Sequence, residues 1–338
     1  MNTLTWIEQV LKPKICNSEE FLYDEMESQS GFCLPIIYQS FDPHRPDHWL
    51  DRGSLFDYLY ATQGQGRRLL DFGPGDGWPS LIVAPFAAAV VGVDGSRRRV
   101  EVCQQNATRL GIKNAEFHYV QPGNPLPFPD ESFDGVMAAS SLEQTPDPKA
   151  TLGELFRVLR PGGRLRMSFE GLEIYRNGYE QAADLEPVDS SSCRLTLYDR
   201  HIAEENAVMY RLWLAVPVDQ ATRILPMDGE QVHWAAVEVS LLEKIRPQIT
   251  HAQCCRLTHP SSTTFIHWMK EIGFREAQAT HSGGGFAWQY FEHLPEKERP
   301  KDMESIDRLL QPLVQIVIHM AAPPHLPGGR DPMISAVK

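Results

Sequence analysis

Short apolar runs alternate with amphipathic stretches through the middle of this chain, at residues 67–169. Between the runs, helical spacing predicts helices at 96–110 and 148–159, the first capped by Ser96 and ended by Gly111. Strands that alternate with helices in this way predict a parallel, doubly wound α/β sheet. The apolar runs predict its first five strands, at 67–72, 89–93, 115–120, 133–139 and 164–169.

The flanking residues follow this pattern less regularly. An N-terminal stretch predicts a helix, a proline-broken segment at 28–47 and a second helix that ends near Tyr60. A long interruption at 171–257 predicts a hairpin and, at 231–245, a helix. The remaining residues predict a helix, a strand, a second helix and a closing strand, at 262–272, 274–281, 304–320 and 333–337.

These breaks divide the chain into four predicted parts. They are an N-terminal helical cap segment, a ligand-binding core, an inserted region and the C-terminal part of the core fold, at 1–64, 65–170, 171–257 and 258–338. The predicted fold is a doubly wound, Rossmann-like, mostly parallel seven-stranded sheet with a large insertion after the fifth strand. The insertion is expected to cap a substrate site or to form a homodimer interface.

Charge and cysteine content narrow the classes of function. A net charge of −12 disfavours a nucleic-acid partner, because such binding depends on Lys and Arg that neutralise phosphates. Six cysteines without a CxxC pair match neither a disulfide framework nor a zinc site, so no metal is expected. The N-terminus lacks a signal-peptide pattern, and the apolar stretch at 309–322 is shorter than the ~20 residues that span a bilayer. We therefore expect a cytoplasmic protein with no membrane partner.

A glycine-rich turn follows the first predicted strand. It reads Asp71-Phe72-Gly73-Pro74-Gly75-Asp76-Gly77. Glycines let a backbone approach a ligand closely, and the helix after the turn offers unpaired N–H groups. Asp94 ends the next strand, where its carboxylate can accept hydrogen bonds from both hydroxyls of a ribose. Ligands of doubly wound sheets bind at the carboxyl ends of the strands, so one crevice is expected among residues 71–78, 94–96, 121–128 and 139–144.

The carboxylates of this turn distinguish between two nucleotide cofactors. A dinucleotide site carries GxGxxG, whose glycines make room for a pyrophosphate. Here the spacing is GxGxG, and Asp71 and Asp76 would repel a pyrophosphate. A cationic amino-acid tail would be attracted instead. The turn therefore favours S-adenosylmethionine, with its positive ammonium and sulfonium groups, over a nicotinamide dinucleotide.

Six segments together resemble the successive motifs of class I S-adenosylmethionine-dependent methyltransferases. They lie at 69–77, 91–94, 126–128, 133–136, 141–144 and 159–163, in the family's order and approximate spacing. The resemblance covers roughly residues 65–170. It implies an enzyme that uses S-adenosylmethionine and releases S-adenosylhomocysteine.

The resemblance also implies the residues that contact the cofactor. Three glycines of the turn would pass beneath it, Asp71 would steer its ammonium, Asp94 would hold its ribose, and Gly95 and Ser96 would flank its adenine. The full predicted set is Asp71, Gly73, Pro74, Gly75, Gly77, Asp94, Gly95, Ser96, Gln121, Gly123, Asn124 and Ala139.

Two positions depart from the family pattern. Many relatives have an acidic residue for the adenine amino group where this chain has Pro122, so Gln121, Asn124 or a backbone carbonyl is expected to substitute. Many relatives also have a His at the position of Gln144, so no acid–base role is assigned there.

Methyl transfer from a sulfonium depends mainly on alignment and a dry site. A general base is needed only when the nucleophile arrives protonated with a high pKa, so no catalytic residue is predicted. Residues that could face an acceptor lie outside the central motifs. They are Tyr38, His48, Tyr175, Tyr179 and His281.

Four interpretations of the function remain open from the sequence. The favoured one is methylation of a small or medium organic acceptor on oxygen, nitrogen or carbon. A protein side chain is the second acceptor class, since the acidic charge would suit a basic partner. A non-catalytic cofactor-binding module would have its crevice filled by the 171–257 insertion. A nicotinamide oxidoreductase would bind NADH and not S-adenosylhomocysteine.

Overall fold

The computed structural model describes the chain in five stretches, which together form two compact units. The stretches are residues 1–16, 41–172, 181–229, 231–324 and 332–338. The inserted unit comprises Met1–Phe21 and Gly171–Pro260, and the core unit comprises Leu22–Glu170 and Ser261–Lys338. Three residues predicted to face an acceptor, Tyr38, Tyr175 and Tyr179, lie outside the described stretches.

The described stretches contain fourteen strands. In chain order they are β1 (Lys14–Cys16), β2 (Arg68–Phe72), β3 (Ala89–Asp94), β4 (Ala115–Tyr119), β5 (Phe133–Ala139), β6 (Leu159–Ser168), β7 (Gln181–Pro187), β8 (Cys193–His201), β9 (Asn206–Leu214), β10 (Met227–Asp228), β11 (Gln231–Val232), β12 (Ile249–Thr258), β13 (Arg275–Thr280) and β14 (Met333–Val337).

Six α-helices of the same stretches begin at a side chain that caps them. The capping residues Asn2, Ser96, Asp147, Ser261, Ser282 and Asp302 each accept a hydrogen bond from the backbone N–H three residues on. In chain order the helices are α1 (Thr3–Trp6), α2 (Pro46–Ala61), α3 (Ser80–Val83), α4 (Arg97–Leu110), α5 (Pro148–Val158), α6 (Val218–Ala221), α7 (Val239–Ile245), α8 (Ser262–Ile272), α9 (Gly283–His293) and α10 (Met303–Val317).

A seven-stranded sheet forms the centre of the core unit. Its order is β13-β14-β6-β5-β2-β3-β4. Strands β4, β3, β2, β5 and β6 are parallel, and β14 pairs antiparallel with both β6 and β13. The predicted doubly wound, mostly parallel fold is therefore confirmed. The strand order reverses between β2 and β5, which is where such sheets open a crevice for ligands.

The inserted unit has a sheet of its own. Its order is β1-β12-β9-β8-β7-β11-β10, and the predicted hairpin is present as the antiparallel pair β8 and β9. Leu195, Leu197 and Leu212 are fully buried in its core together with Trp6, whose indole donates to Glu243 Oε1 at 2.6 Å. Among the described residues, no helix combines the length and the apolar character that crossing a membrane requires.

The predicted N-terminal cap segment at 1–64 is divided between the two units. β1 pairs in parallel with β12, with Cys16 opposite Cys255. Residues 1–16 therefore belong to the inserted unit, whereas α2 belongs to the core unit. A three-residue strand carries no periodic signal, and its partner lies more than two hundred residues away in the sequence. For these reasons the pairing could not be predicted.

One local prediction was wrong, and one helix was not predicted. The helix expected at 231–245 is limited to α7, because Val232 belongs to β11 and pairs with Ala183 of β7. The glycine-rich run after β13, which the sequence indicates only as an interruption, begins the helix α9. A Cβ at Gly284 would lie 2.1 Å from Ser54 Oγ of α2. The glycines thus permit a close approach of α2 and α9, and this packing outweighs their low helix propensity.

Candidate functional site

The glycine-rich turn lies at the carboxyl end of β2, beside the point where strand order reverses. Gly73, Gly75 and Gly77 have φ values of +74°, +59° and +111°, in the left-handed region that favours glycine. A Cβ at Gly73 would lie 2.3 Å from Ser141 Cβ, and one at Gly77 would lie 2.4 Å from Leu81 Cδ1. A Cβ at Gly75 would meet no atom within 4 Å. Internal packing therefore requires the first and third glycines, whereas Gly75 presents its backbone to open space.

The turn is held by β3 and α4. Asp94 Oδ2 accepts a hydrogen bond from the Gly75 N–H at 3.2 Å, and its Oδ1 accepts one from the Ser96 N–H at 2.9 Å. On α4, Cys103 Sγ donates to the Gly75 carbonyl at 3.2 Å, and Asn106 Nδ2 donates to the Asp76 carbonyl at 2.8 Å. Asp94 therefore fixes the turn and also faces the space in front of it.

Asp71 lies beneath the turn and is fully buried. Its Oδ2 accepts hydrogen bonds from the Ser80 N–H at 2.9 Å and from Ser80 Oγ at 2.6 Å. Its Oδ1 has no hydrogen-bond partner among the described residues. Burial raises the pKa of this carboxyl to about 7. A buried carboxyl with one free oxygen is suited to a nearby cationic group, directly or through water.

A cavity of about 630 Å³ opens in front of the turn. Asp71, Gly77 and Ser96 do not line it; they support the turn and the start of α4 from behind. The other predicted cofactor residues all line the cavity, namely Gly73, Pro74, Gly75, Asp94, Gly95, Gln121, Gly123, Asn124 and Ala139. Pro122, which replaces the acidic residue of many relatives, lies in the same wall.

The wall of this first cavity is predominantly acidic. Asp76, Asp94 and Asp147 line it, and Arg99 is the one Lys or Arg among its described lining residues. Glu154 also lines it but is paired with Arg157 at 2.8 Å. This charge distribution favours a ligand with cationic groups and disfavours a pyrophosphate.

A second cavity of about 780 Å³ adjoins the first. Both cavities are lined by Trp78 and Ser140, which therefore mark their junction. Of the residues predicted to face an acceptor, His281 lines the second cavity. His48 lines neither cavity among those described; it is buried at the start of α2, where its Nδ1 accepts a hydrogen bond from the Asp42 N–H at 2.8 Å.

Ser140 lies within the predicted crevice range 139–144, but the sequence assigned it no role. It follows β5 with φ +47°, a left-handed conformation that is uncommon for a residue other than glycine. Its N–H donates to the Ser168 carbonyl at 3.1 Å, and its own carbonyl accepts from Gln144 Nε2 at 2.8 Å. Gln144 therefore orients Ser140. Its place after a strand was the only sequence signal for Ser140, since left-handed backbone at a serine cannot be predicted from composition.

Trp78 ends the predicted crevice range 71–78 but was assigned no role, and Tyr58 was missed. Their rings meet edge to face, with centroids 5.7 Å apart, and both line the second cavity. Trp78 directly follows the glycine turn, which is a signal that the sequence offered. Tyr58 lies in the middle of α2, where helical spacing alone indicates only a core residue.

The family model described as a methyltransferase domain matches residues 70–167. A demethylmenaquinone methyltransferase from Clavibacter sepedonicus is 36% identical over 118 residues, which are 34% of this chain and 47% of that relative. A 27-O-demethylrifamycin SV methyltransferase from Amycolatopsis mediterranei is 37% identical over 103 residues, 30% of this chain and 38% of that relative. The chain thus spans less than half the length of these relatives. Among solved structures, an S-adenosylmethionine-dependent methyltransferase from Clostridium acetobutylicum aligns with 94% of this chain and 95% of its own, at a TM-score of 0.48 and 10% identity.

Proposed function

We propose that this chain, which contains a class I S-adenosylmethionine-dependent methyltransferase domain, transfers the methyl group of that cofactor to a small or medium organic acceptor. The matched relatives bear the names of enzymes whose acceptors are small organic molecules, and this supports the acceptor class. A homodimer, a cytoplasmic location and the absence of a nucleic-acid partner remain predictions from the sequence.

The residues of the first cavity fit this cofactor. Because Gly75 has no side chain, a ligand can approach its backbone closely. Asp94 presents a carboxylate at the end of β3 that can accept hydrogen bonds from ribose hydroxyls. The free oxygen of Asp71 and the acidic wall suit a sulfonium and an ammonium group. We therefore assign Gly73, Gly75 and Asp94 to cofactor contact, with Gln121 and Asn124 facing the adenine side, and assign Asp71 an attraction for the cationic groups from behind the turn.

The observation that carries the proposal is the shared boundary of the two cavities at Trp78 and Ser140. A group bound in the first cavity and a group bound in the second would meet there. The cofactor supplies an activated methyl group, so the chain needs chiefly to align the acceptor and exclude water. As the new bond to the methyl carbon forms, its bond to sulfur breaks and S-adenosylhomocysteine is left; the proton carried by the acceptor atom is released to solvent.

The activity is tested by incubating the full chain with isotopically labelled S-adenosylmethionine and cell extracts fractionated by size. We expect label in a low-molecular-mass fraction and none when Gly75→Arg replaces the wild type. Label only in protein would favour a side-chain acceptor. Calorimetric binding of S-adenosylhomocysteine without any labelled product from any fraction would contradict the proposed activity, and binding of NADH alone would contradict the cofactor.

A further inference from the structure

We propose that the second cavity binds the methyl acceptor and that this acceptor is a largely apolar molecule without a negative charge and with a hydrogen-bonding group at its reacting end. This inference rests on the proposed function and goes further by specifying the chemistry of the acceptor. A volume of about 780 Å³ is in the range of pockets for drug-sized ligands, so a molecule of several rings can be accommodated.

Most of the cavity wall is apolar. Trp78 and Tyr58 contribute aromatic rings at the end nearest the first cavity. Aliphatic, thioether and phenyl side chains complete the apolar surface, namely Leu50, Phe286, Val317, Met320 and Met333. Transfer of apolar ligand surface from water to such a wall is favourable, so the affinity of the cavity would derive mainly from burial of an apolar molecule.

The charges around the cavity disfavour an anion. Among its described lining residues there is no Lys or Arg, and the one carboxylate is that of Glu170, which is exposed. Arg166 lies behind the wall, but its guanidinium is fully buried and paired with Asp57. An anionic acceptor would therefore lose hydration without gaining a cationic partner.

The N-terminus of α9 reaches this cavity but offers little to an anion. The Gly283 N–H donates to Asp57 Oδ2 at 2.5 Å, and the Gly285 N–H donates to the capping Ser282 Oγ at 3.1 Å. Two of the first N–H groups of the helix thus have partners within the chain. These two N–H groups are accordingly not available to an anionic ligand.

Neutral hydrogen-bonding groups are concentrated at the junction of the cavities. Tyr58 Oη lies 3.4 Å from Ser168 Oγ, and the Ser168 carbonyl in turn accepts from the Ser140 N–H. Burial raises the pKa of Tyr58, so its hydroxyl stays protonated and neutral. An acceptor hydroxyl or amine bound here would face the first cavity while its apolar body fills the second.

The part of the wall formed by His281 is fixed by backbone hydrogen bonds. His281 lines the cavity, its carbonyl accepts from Arg166 Nη2 at 3.0 Å, and its N–H donates to the Met320 carbonyl at 3.1 Å. Both the backbone carbonyl and the backbone N–H of His281 are therefore held by hydrogen bonds. A wall that is already ordered before binding lowers the entropic cost of holding an acceptor.

Two probes of the same shape test the inference. We would titrate the full chain by calorimetry with 2-naphthol, which is neutral at pH 7, and with 2-naphthoate, which is anionic, each with and without saturating S-adenosylhomocysteine. We expect saturable binding of 2-naphthol at least tenfold tighter than that of 2-naphthoate. Equal or tighter binding of the anion, or no binding of 2-naphthol, would overturn the inference.

Two variants test whether 2-naphthol binds in the second cavity. Gln289→Trp and Met320→Trp place bulk at exposed positions that line the cavity, and both should weaken 2-naphthol binding at least tenfold. Gln105→Trp, at an exposed glutamine of α4, is the matched control and should bind the probe as the wild type does. Unchanged binding in both cavity variants would place the probe elsewhere and refute the site. Failure of S-adenosylhomocysteine to bind, with the ranking of the probes preserved, would instead contradict the proposed function.

Discussion

Asp57 and Arg166 form a doubly hydrogen-bonded ion pair in the core unit, with Nε to Oδ1 at 2.6 Å and Nη2 to Oδ2 at 2.8 Å. Their side chains are 1% and 0% exposed. The pair joins α2 to β6, and Arg166 Nη1 also donates to Ser335 Oγ of β14 at 2.8 Å. Arg166 also donates to the His281 carbonyl, and Asp57 accepts from the Gly283 N–H. The same ion pair therefore stabilises the core unit and positions residues at the wall of the second cavity.

Removal of one partner should destabilise the protein strongly. Arg166→Met leaves the Asp57 carboxylate buried without its cation, and we expect a loss of about 3–5 kcal/mol in the free energy of unfolding. Asp57→Leu combined with Arg166→Met removes both charges and should recover part of that loss. Urea denaturation of the single and double variants measures both values. The inference would be contradicted if the double variant had a lower free energy of unfolding than Arg166→Met. That result would show that the two side chains stabilise the protein independently and not as a pair.

Gly75→Arg should abolish cofactor binding while the chain stays folded. The side chain would project into the open space in front of the turn, where we place the cofactor. Gly66→Arg is the matched control, because Gly66 also has a left-handed φ, +66°, and no atom within 4 Å of its Cβ position. Both substitutions should cost about 1–2 kcal/mol of stability from backbone strain. Only Gly75→Arg should eliminate the calorimetric signal with S-adenosylhomocysteine; equal affinities would refute the placement.

Asp94→Ala should weaken cofactor binding by about tenfold to a hundredfold. This range corresponds to the loss of one hydrogen bond to a charged group, at about 1.5–3 kcal/mol. The substitution also frees the Gly75 and Ser96 N–H groups that the carboxylate orders. Calorimetry with S-adenosylhomocysteine measures the change, with Asp228→Ala, at an exposed carboxylate of the inserted unit, as control. An unchanged affinity for Asp94→Ala would argue against a ribose contact.

Asp71 and Asp51 should each reduce the stability of the unliganded protein as the pH rises from about 4 to about 7. Burial raises the pKa of Asp71 and that of Asp51 each to about 7. In the folded state both carboxyls keep a proton that the unfolded chain releases near the ordinary value of 3.8. The folded state therefore holds more protons in this interval, and each group lowers the free energy of unfolding by at most about 1.4 kcal/mol per pH unit.

Asp71→Asn isolates one of these contributions. Relative to the wild type, the variant should gain stability progressively between about pH 4 and pH 7 and gain no more above that. Urea denaturation across this pH range measures the difference, and Asp228→Asn at an exposed position serves as control. A constant difference between Asp71→Asn and the wild type at every pH would show that Asp71 titrates alike in both states.

Many elements of the core unit were predictable because their signals are local. β5 at Phe133–Ala139, α8 at Ser262–Ile272 and β14 at Met333–Val337 have the bounds that the apolar pattern predicts. Ser96 and Gly111 begin and end α4 as expected, since a capping hydroxyl and a left-handed glycine act on the nearest turn. The glycine turn and its following acid likewise identify the first cavity, because each lies at a strand end.

By itself, the sequence determined the succession of strands and helices through residues 67–169, the glycine turn and the acidic character of the first cavity, since these depend on neighbouring residues. Tertiary structure decided that β1 joins the inserted sheet, that a glycine run forms α9, and that Ser140 adopts a left-handed backbone. It also assembled the second cavity from α2, β6, α9 and the end of α10. Such a cavity arises from packing between segments that lie far apart in the chain. The local spacing of apolar residues does not predict that packing.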